Sequence, residues 1–182
     1  MNQVASADDL PAEAIVVIGP SASGKSTLAR ALAAQLHRPF IEGDEFHTPD
    51  NLRKLKAGIP LTDEDRWPFL DALGRAMAQA DKPVIVSCSA LKAAHRERLR
   101  RFADKLVFVC ADVPEDELER RTQQREGHFM SPALLADQIR NFEPPAPPER
   151  FMRIDGTAPT ADQVQTLVQQ LKASSQRSQK DA

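Results

Sequence analysis

Gly19-Pro20-Ser21-Ala22-Ser23-Gly24-Lys25-Ser26 sets two glycines, a lysine and a hydroxyl at the spacing of a loop that cradles a polyphosphate. The glycines let the backbone bend tightly with its N–H groups turned inward, and a helix beginning at the loop's end adds its positive terminus to the same anion. Lys25 is the group expected to neutralise the outer phosphates. The Ser26 hydroxyl sits where such loops hold Mg2+, with Thr27 behind it. Gly19, Pro20, Ser21, Ala22, Ser23, Gly24, Lys25, Ser26 and Thr27 are therefore the candidate nucleotide-binding set.

A second constellation follows at Glu42-Gly43-Asp44-Glu45-Phe46-His47. In an extended segment Glu42 and Asp44 share a side, which places two carboxylates near the phosphate loop. Asp44 is the candidate general base, able to orient an alcohol and take its proton late in a loose phosphoryl-transfer transition state. After Val84-Ile85-Val86 the usual acid that supports the metal is replaced by Ser87-Cys88-Ser89, so metal support falls to Ser26 and, through water, Glu42. Arg121 and Arg125 are four residues apart and share a helix face. Followed by the hinge-like Gly127-His128-Phe129-Met130, they suit a mobile lid that closes on a nucleotide and stabilises charge on the transferring phosphoryl. Glu117 is also placed to pair with Arg121 on the surface.

These groups need a scaffold. Short apolar runs at Ala14 to Ile18, Pro39 to Ile41, Val84 to Cys88, Leu106 to Cys110 and Phe151 to Ile154 do not alternate, which predicts strands buried on both faces. Helical patterns lie between them, so the expected fold is three-layer α/β: a five-stranded parallel sheet with helices on both faces. Leu28, Ala31, Leu32 and Leu36 give the helix behind the loop its apolar stripe. Thr62-Asp63-Glu64-Asp65 predicts a capping box; Val113-Pro114 and Ser131-Pro132 predict prolines at first helical positions. Glu143 to Glu149 contains four prolines and predicts an extended connector. One domain is expected over 14–173, with a lid at about 121–142, and loose ends at 1–13 and 174–182, where apolar periodicity fails.

The 182 residues are 41% hydrophobic and 27% charged, with a net charge of −2, enough material for one domain with a core. That balance gives no basic excess for nucleic acid. The first residues lack an apolar signal core, and no run approaches the roughly 18 residues of a membrane span, so a cytoplasmic protein is expected. Cys88 and Cys110 fit small core residues in a reducing compartment, and His37, His47, His95 and His128 show no zinc spacing.

Taken together, several blocks resemble the gluconokinase family of P-loop kinases. They are the phosphate loop, Glu42-Gly43-Asp44-x-x-His47, the run Asn51-x-x-Lys54-x-x-x-Gly58-x-Pro60-Leu61-x-Asp63-x-Asp65-Arg66-Trp67-Pro68-x-Leu70, Cys88-Ser89-Ala90-Leu91-Lys92 and Arg125-x-Gly127-His128-Phe129. The resemblance spans about Val16 to Asp155. It implies transfer of the γ-phosphoryl of ATP, with Mg2+, to the C6 hydroxyl of D-gluconate, in a protein that is often a homodimer. A polyhydroxylated carboxylate needs cations for its acid end and hydrogen-bonding groups for its hydroxyls. Asp44, His47, Lys54, Arg66, Lys92 and His128 are the candidates at matching positions. Arg66 is favoured for the carboxylate because its planar fork can hold it bidentately, with Lys92 as competitor. His47 also fits a helix cap or a neutral core imidazole, and Trp67 fits a helix anchor in the core better than a sugar-stacking ring. Asp155-Gly156-Thr157 resembles the place where such kinases pack adenine.

Ala22 stands where the family commonly has glycine, Leu55 and Phe69 replace frequent methionine and tryptophan, and Gln138 to Glu143 matches the usual block only in part. Two alternatives share the loop: a kinase for another small polyol acid such as shikimate, and a nucleotide-binding switch protein without transfer. No Asn-Lys-x-Asp guanine-reading motif is present.

Overall fold

The computed structural model describes residues 12–81, 83–124 and 131–180. Five parallel strands form one sheet in the order β2-β3-β1-β4-β5: β1 Ala14–Ile18, β2 Phe40–Glu42, β3 Val84–Ser87, β4 Leu106–Asp112 and β5 Phe151–Asp155. The helices are α1 Lys25–Leu36, α2 Pro49–Lys56, α3 Asp63–Gln79, α4 Ala93–Arg100, α5 Glu115–Gln124, α6 Pro132–Arg140 and α7 Thr160–Lys180. The expected three-layer fold is present.

Successive side chains of a strand face opposite ways, and β1 feeds both cores. Ile15 and Val17 pack with Leu28 and Leu32 of α1 and Leu167 and Leu171 of α7. Ala14, Val16 and Ile18 pack with Phe69, Leu70 and Leu73 of α3 and Leu99 of α4. Every residue of β1 is buried, which explains why its sequence is an unbroken apolar run. Because β1 lies between β3 and β4, its carboxyl end is the point where the connections part to the two faces, and a crevice opens there. The phosphate loop occupies that point.

Several local expectations meet their structure. Thr62 accepts from the Asp65 N–H and Asp65 returns the bond to Thr62 N–H, closing a capping box on α3. Ser131 caps α6 through the Leu134 N–H, with Pro132 at the first helical position. Pro114 instead precedes α5, where its carbonyl accepts from the Leu118 N–H.

Of the ends expected to be loose, residues 1–11 and 181–182 lie outside the described residues, and the described parts are held to the body or helical. Glu13 belongs to the body: its N–H donates to Lys105 O at 2.8 Å and its carbonyl accepts from Val84 N–H at 3.1 Å. At the other end α7 continues through Ser174 to Lys180. Apolar periodicity stops at Leu171, but adding a turn to an existing helix needs no new nucleus, and the serine hydroxyls find the Leu171 carbonyl within the helix at 2.8 and 3.1 Å.

The proline-rich connector is fastened from below. Arg96 of α4 is fully buried; it pairs bidentately with Glu149 at 2.7 and 3.0 Å and donates to the carbonyls of Ala90 and Glu143. One guanidinium thus ties the connector to the loop that follows β3. Arg96→Ala is expected to cost about 3–5 kcal/mol, because it strands a carboxylate and several carbonyls without their donor. Denaturant unfolding of the variant checks this, and a loss under about 1 kcal/mol contradicts it.

Candidate active site

Between the phosphate loop and the exit of β2 lies a cavity of about 500 Å³. Ser21, Ala22, Gly24, Lys25, Ser26 and Thr27 form one wall; Asp44, His47 and Arg66 form another, with Leu52, Leu55 and Leu61 beside them. Ser89, Arg121 and Gln138 complete the rim.

The loop wall is built by backbone conformation. Gly24 caps α1 at φ 86°, a left-handed geometry that L side chains resist, and its carbonyl accepts from the Leu28 N–H at 2.9 Å. Ala22 is also left-handed, at φ 63°, so alanine at this departure from the family carries a conformational cost of about 1–2 kcal/mol that glycine avoids. The Lys25 ammonium donates to Pro20 O at 2.7 Å. Arg121 of α5 reaches the back of the loop, donating to Ala22 O at 3.5 Å and to Gly156 O at 3.0 Å, while Glu117 holds its Nε at 2.7 Å. The surface ion pair and the approach to the nucleotide loop therefore coexist in one arginine. Arg120 and then Arg121 hold the Glu117 carboxyl down to about 2.

The acid-bearing wall differs from expectation in its backbone. The chain does not stay extended after Glu42; it turns into a 3₁₀ segment, Gly43–Phe46. A Cβ on Gly43 would fall 2.2 Å from Ser87 O, so only glycine lets this turn press against the end of β3. The turn separates the two carboxylates. Asp44 lines the cavity, whereas Glu42 takes the Ser87 hydroxyl, lies 3.7 Å from Arg30 and is not part of the cavity lining.

His47 connects Asp44 to the scaffold. Its Nδ1 lies 3.3 Å from the Asn51 amide nitrogen, a donor, so the ring proton belongs on Nε2, which faces Asp44 Oδ1 at 3.9 Å. The ring rests on Phe69 with centroids 4.4 Å apart. Burial pushes the imidazole below its ordinary value, and the nearby Arg66 charge adds to that, against the pull of Asp44. Asn51 is itself buried and also donates to Asp65 O at 2.9 Å.

The expected cations divide. Arg66 is buried and lines the cavity, anchored by one nitrogen to the carbonyls of Leu61 and Thr62. Lys54 instead grips Asp65 at 2.7 and 2.8 Å, and Lys92 grips Asp63 at 2.8 Å; neither lines this cavity. Lys92 belongs to a cluster at the head of α4, where buried His95 accepts from the Lys92 N–H at 3.2 Å and presents Nε2–H to Asp63 at 2.9 Å. Burial outweighs Asp63 and holds His95 below the ordinary imidazole value, so this contact is a hydrogen bond from a neutral ring. Trp67 sets its edge against His95 with centroids 5.6 Å apart and packs on the core, as an anchor does. Arg125 and His128 lie outside the described residues.

A second cavity, of about 740 Å³, lies behind the loop, lined by Pro20, Ser23, Leu118, Phe142, Asp155 and Thr157 among others. Gly156 N–H donates to Asp112 O at 2.8 Å, which holds the segment after β5 beside Arg121. Cys88 and Cys110 are buried, with thiols pushed up to about 12 and about 11 by desolvation, so neither is a thiolate at neutral pH. Among the described residues no three His, Cys, Asp or Glu side chains are grouped to hold a metal, and no helix is long and apolar enough to cross a membrane.

The sequence does not single out Gln138 as a site residue. It falls three and four positions beyond Leu135 and Leu134, the buried residues of α6, so a polar side chain on an inward face was the available signal.

His47 and His95 favour the neutral form when folded, so the unfolded chain takes up protons first as pH falls through about 6.5. Their contribution is complete above that value and lost below it. Thermal melts from pH 7.5 to 5.5 should show a falling Tm, with a shallower fall in His47→Gln. Equal slopes for both proteins contradict the assignment.

The family description "AAA domain" matches residues 15–145. The chain is 42% identical over 146 residues to a gluconokinase of Gluconobacter oxydans, covering 78% of this chain and 82% of that one. It is 38% identical over 137 residues to the thermoresistant gluconokinase of Escherichia coli, covering 74% and 78%. A crystal structure of a gluconokinase from Sinorhizobium meliloti superposes with a TM-score of 0.85 at 41% identity, covering 95% of this chain and 98% of that one. Shikimate kinase from Acinetobacter baumannii shares the fold at a TM-score of 0.61 and 17% identity. With the phosphate loop, Asp44, His47 and Arg66 around one cavity, this chain belongs to the gluconokinase family.

Proposed function

We propose that this protein is a gluconate kinase that transfers the γ-phosphoryl group of ATP to the C6 hydroxyl of D-gluconate, giving 6-phosphogluconate and ADP. The observation that carries the proposal is one cavity lined both by Lys25 and Ser26 of the phosphate loop and by Asp44, His47 and Arg66. An anion-gripping bend on one side and an acid with a cation on the other are what a phosphoryl donor and a sugar-acid acceptor need.

The roles follow from chemistry. The amides of the loop and the N-terminus of α1 hold the phosphates, and Lys25 leaves Pro20 O to neutralise the transferring group. Asp44 orients the acceptor hydroxyl and takes its proton as the new oxygen–phosphorus bond forms and the bond to the ADP oxygen breaks. His47, held by Asn51, turns an N–H toward Asp44 at 3.9 Å, from where it can meet the carboxylate once the acceptor is bound. Arg66 binds the gluconate carboxylate. With Lys54 and Lys92 committed to Asp65 and Asp63, it is the expected cation that remains on the cavity wall.

Hard oxygen donors with no dedicated cage suit Mg2+, which usually binds one or two protein groups together with substrate phosphates; Ser26 fits that role, and Glu42 supports it only through water. Bound there, the ion would neutralise charge on the phosphate oxygens. Arg121, with Arg125, acts from the lid at 121–142, and the segment 155–157 receives the adenine. A cytoplasmic location fits a protein that draws on ATP.

ADP release with Mg-ATP, measured against gluconate, other aldonates, shikimate, neutral sugars and nucleosides, tests the acceptor. Gluconate should give the highest kcat/KM; equal turnover of shikimate or a neutral sugar overturns the assignment. Asp44→Asn should lower kcat at least ~10²-fold while ATP binding stays nearly intact. Lys25→Ala should impair both nucleotide affinity and turnover, and full activity in that variant contradicts the phosphate contact.

A further inference from the structure

The Ser21 N–H, a donor of the phosphate-gripping bend, points at a side chain 117 residues away: Gln138 Oε1 of α6, at 2.7 Å. The contact fixes the orientation of the carboxamide. A backbone N–H can only be met by an acceptor, so the oxygen faces the loop and the NH2 group is turned from it. Gln138 lines the same cavity as Asp44, His47 and Arg66. On the rim of that cavity it is a neutral side chain with two hydrogens to donate, in a space it shares with groups suited to a proton and a carboxylate.

We propose that Gln138 is a specificity-determining residue for the acceptor: Ser21 holds its oxygen, and its NH2 donates to a hydroxyl of the polyhydroxylated acid. This rests on the gluconate kinase assignment above. A polyol acid differs from a simple alcohol by hydroxyls that must each exchange water for a protein partner, and a site built to bond such a hydroxyl rejects acceptors that lack it. Tethering to the loop also pre-sets the donor, so the position of α6 and the position of the phosphates are linked through one side chain. The residue is half-buried, three and four positions on from the buried Leu135 and Leu134, so it shares their side of α6.

A mere tether and a substrate donor are separable because glutamate keeps the first property and loses the second. In Gln138→Glu the carboxylate still accepts from Ser21 N–H at the same length, but it offers no hydrogen and places negative charge near an anionic acceptor. The expected result is at least a tenfold rise in KM for gluconate with KM for ATP changed less than twofold. Gln138→Leu, which keeps the bulk and loses both bonds, should raise the gluconate KM similarly and serves if the glutamate variant does not fold. A gluconate KM within twofold of the parent in the folded glutamate variant, or in leucine where glutamate fails, overturns the proposal. So does a change confined to the ATP KM. Absence of gluconate-dependent ADP release in the parent protein would instead remove the underlying kinase assignment.

Discussion

A bend that starts a helix leaves N–H groups for which the helix itself has no acceptor, and here that deficit lies at the centre of the sheet. β1 is buried on both faces, so the bend cannot drift away from the crevice at the strand's end. Its polar groups are met by distant parts of the chain: Gln138 at Ser21, and Arg121 at Ala22. Both partners stand on helices, α5 and α6, that run into or lie within the segment 121–142 expected to close over the nucleotide. The phosphate loop and those helices are therefore mechanically joined before any ligand enters.

On the acceptor side, charge is sorted by pairing. The ammonium groups of Lys54 and Lys92 hold Asp65 and Asp63, and both carboxyls are shifted below their ordinary values chiefly by those bonds. Arg66 differs because its anchor is two carbonyls, which fix its position without cancelling its charge. Burial lowers its pKa against the pull of Asp63 and Asp137, yet a guanidinium starts so high that it stays cationic. An anion entering the cavity meets the fixed Arg66 guanidinium on this wall, beside a neutral His47 and Asp44, with Lys25 and Arg121 lining the loop wall and the rim.

Much of this was legible in the chain because the decisive signals were local. The loop spacing, the capping box at Thr62 and the unbroken apolar strands each follow from a few neighbouring residues. What failed depended on contacts between distant segments. The shared side of Glu42 and Asp44 assumed an extended backbone, and the turn at Gly43 exists because Ser87 O leaves no room for a Cβ. The chain favours Arg66 over Lys92 and Lys54 only by the shape of its side chain, because the partners that commit the two lysines lie 11 and 29 residues away. Gln138 was hidden for the same reason, its partner being 117 residues distant.

Asp65 shows how such a structure can mislead genetics. Its carboxylate caps α3 through Thr62 and pairs with Lys54 of α2, while its own carbonyl receives Asn51, the residue that orients His47. One residue therefore frames both helices beside the cavity and, one step further on, steers the imidazole that faces Asp44. A random screen for lost activity would score this position alongside the chemical groups, although it never needs to touch a reacting atom.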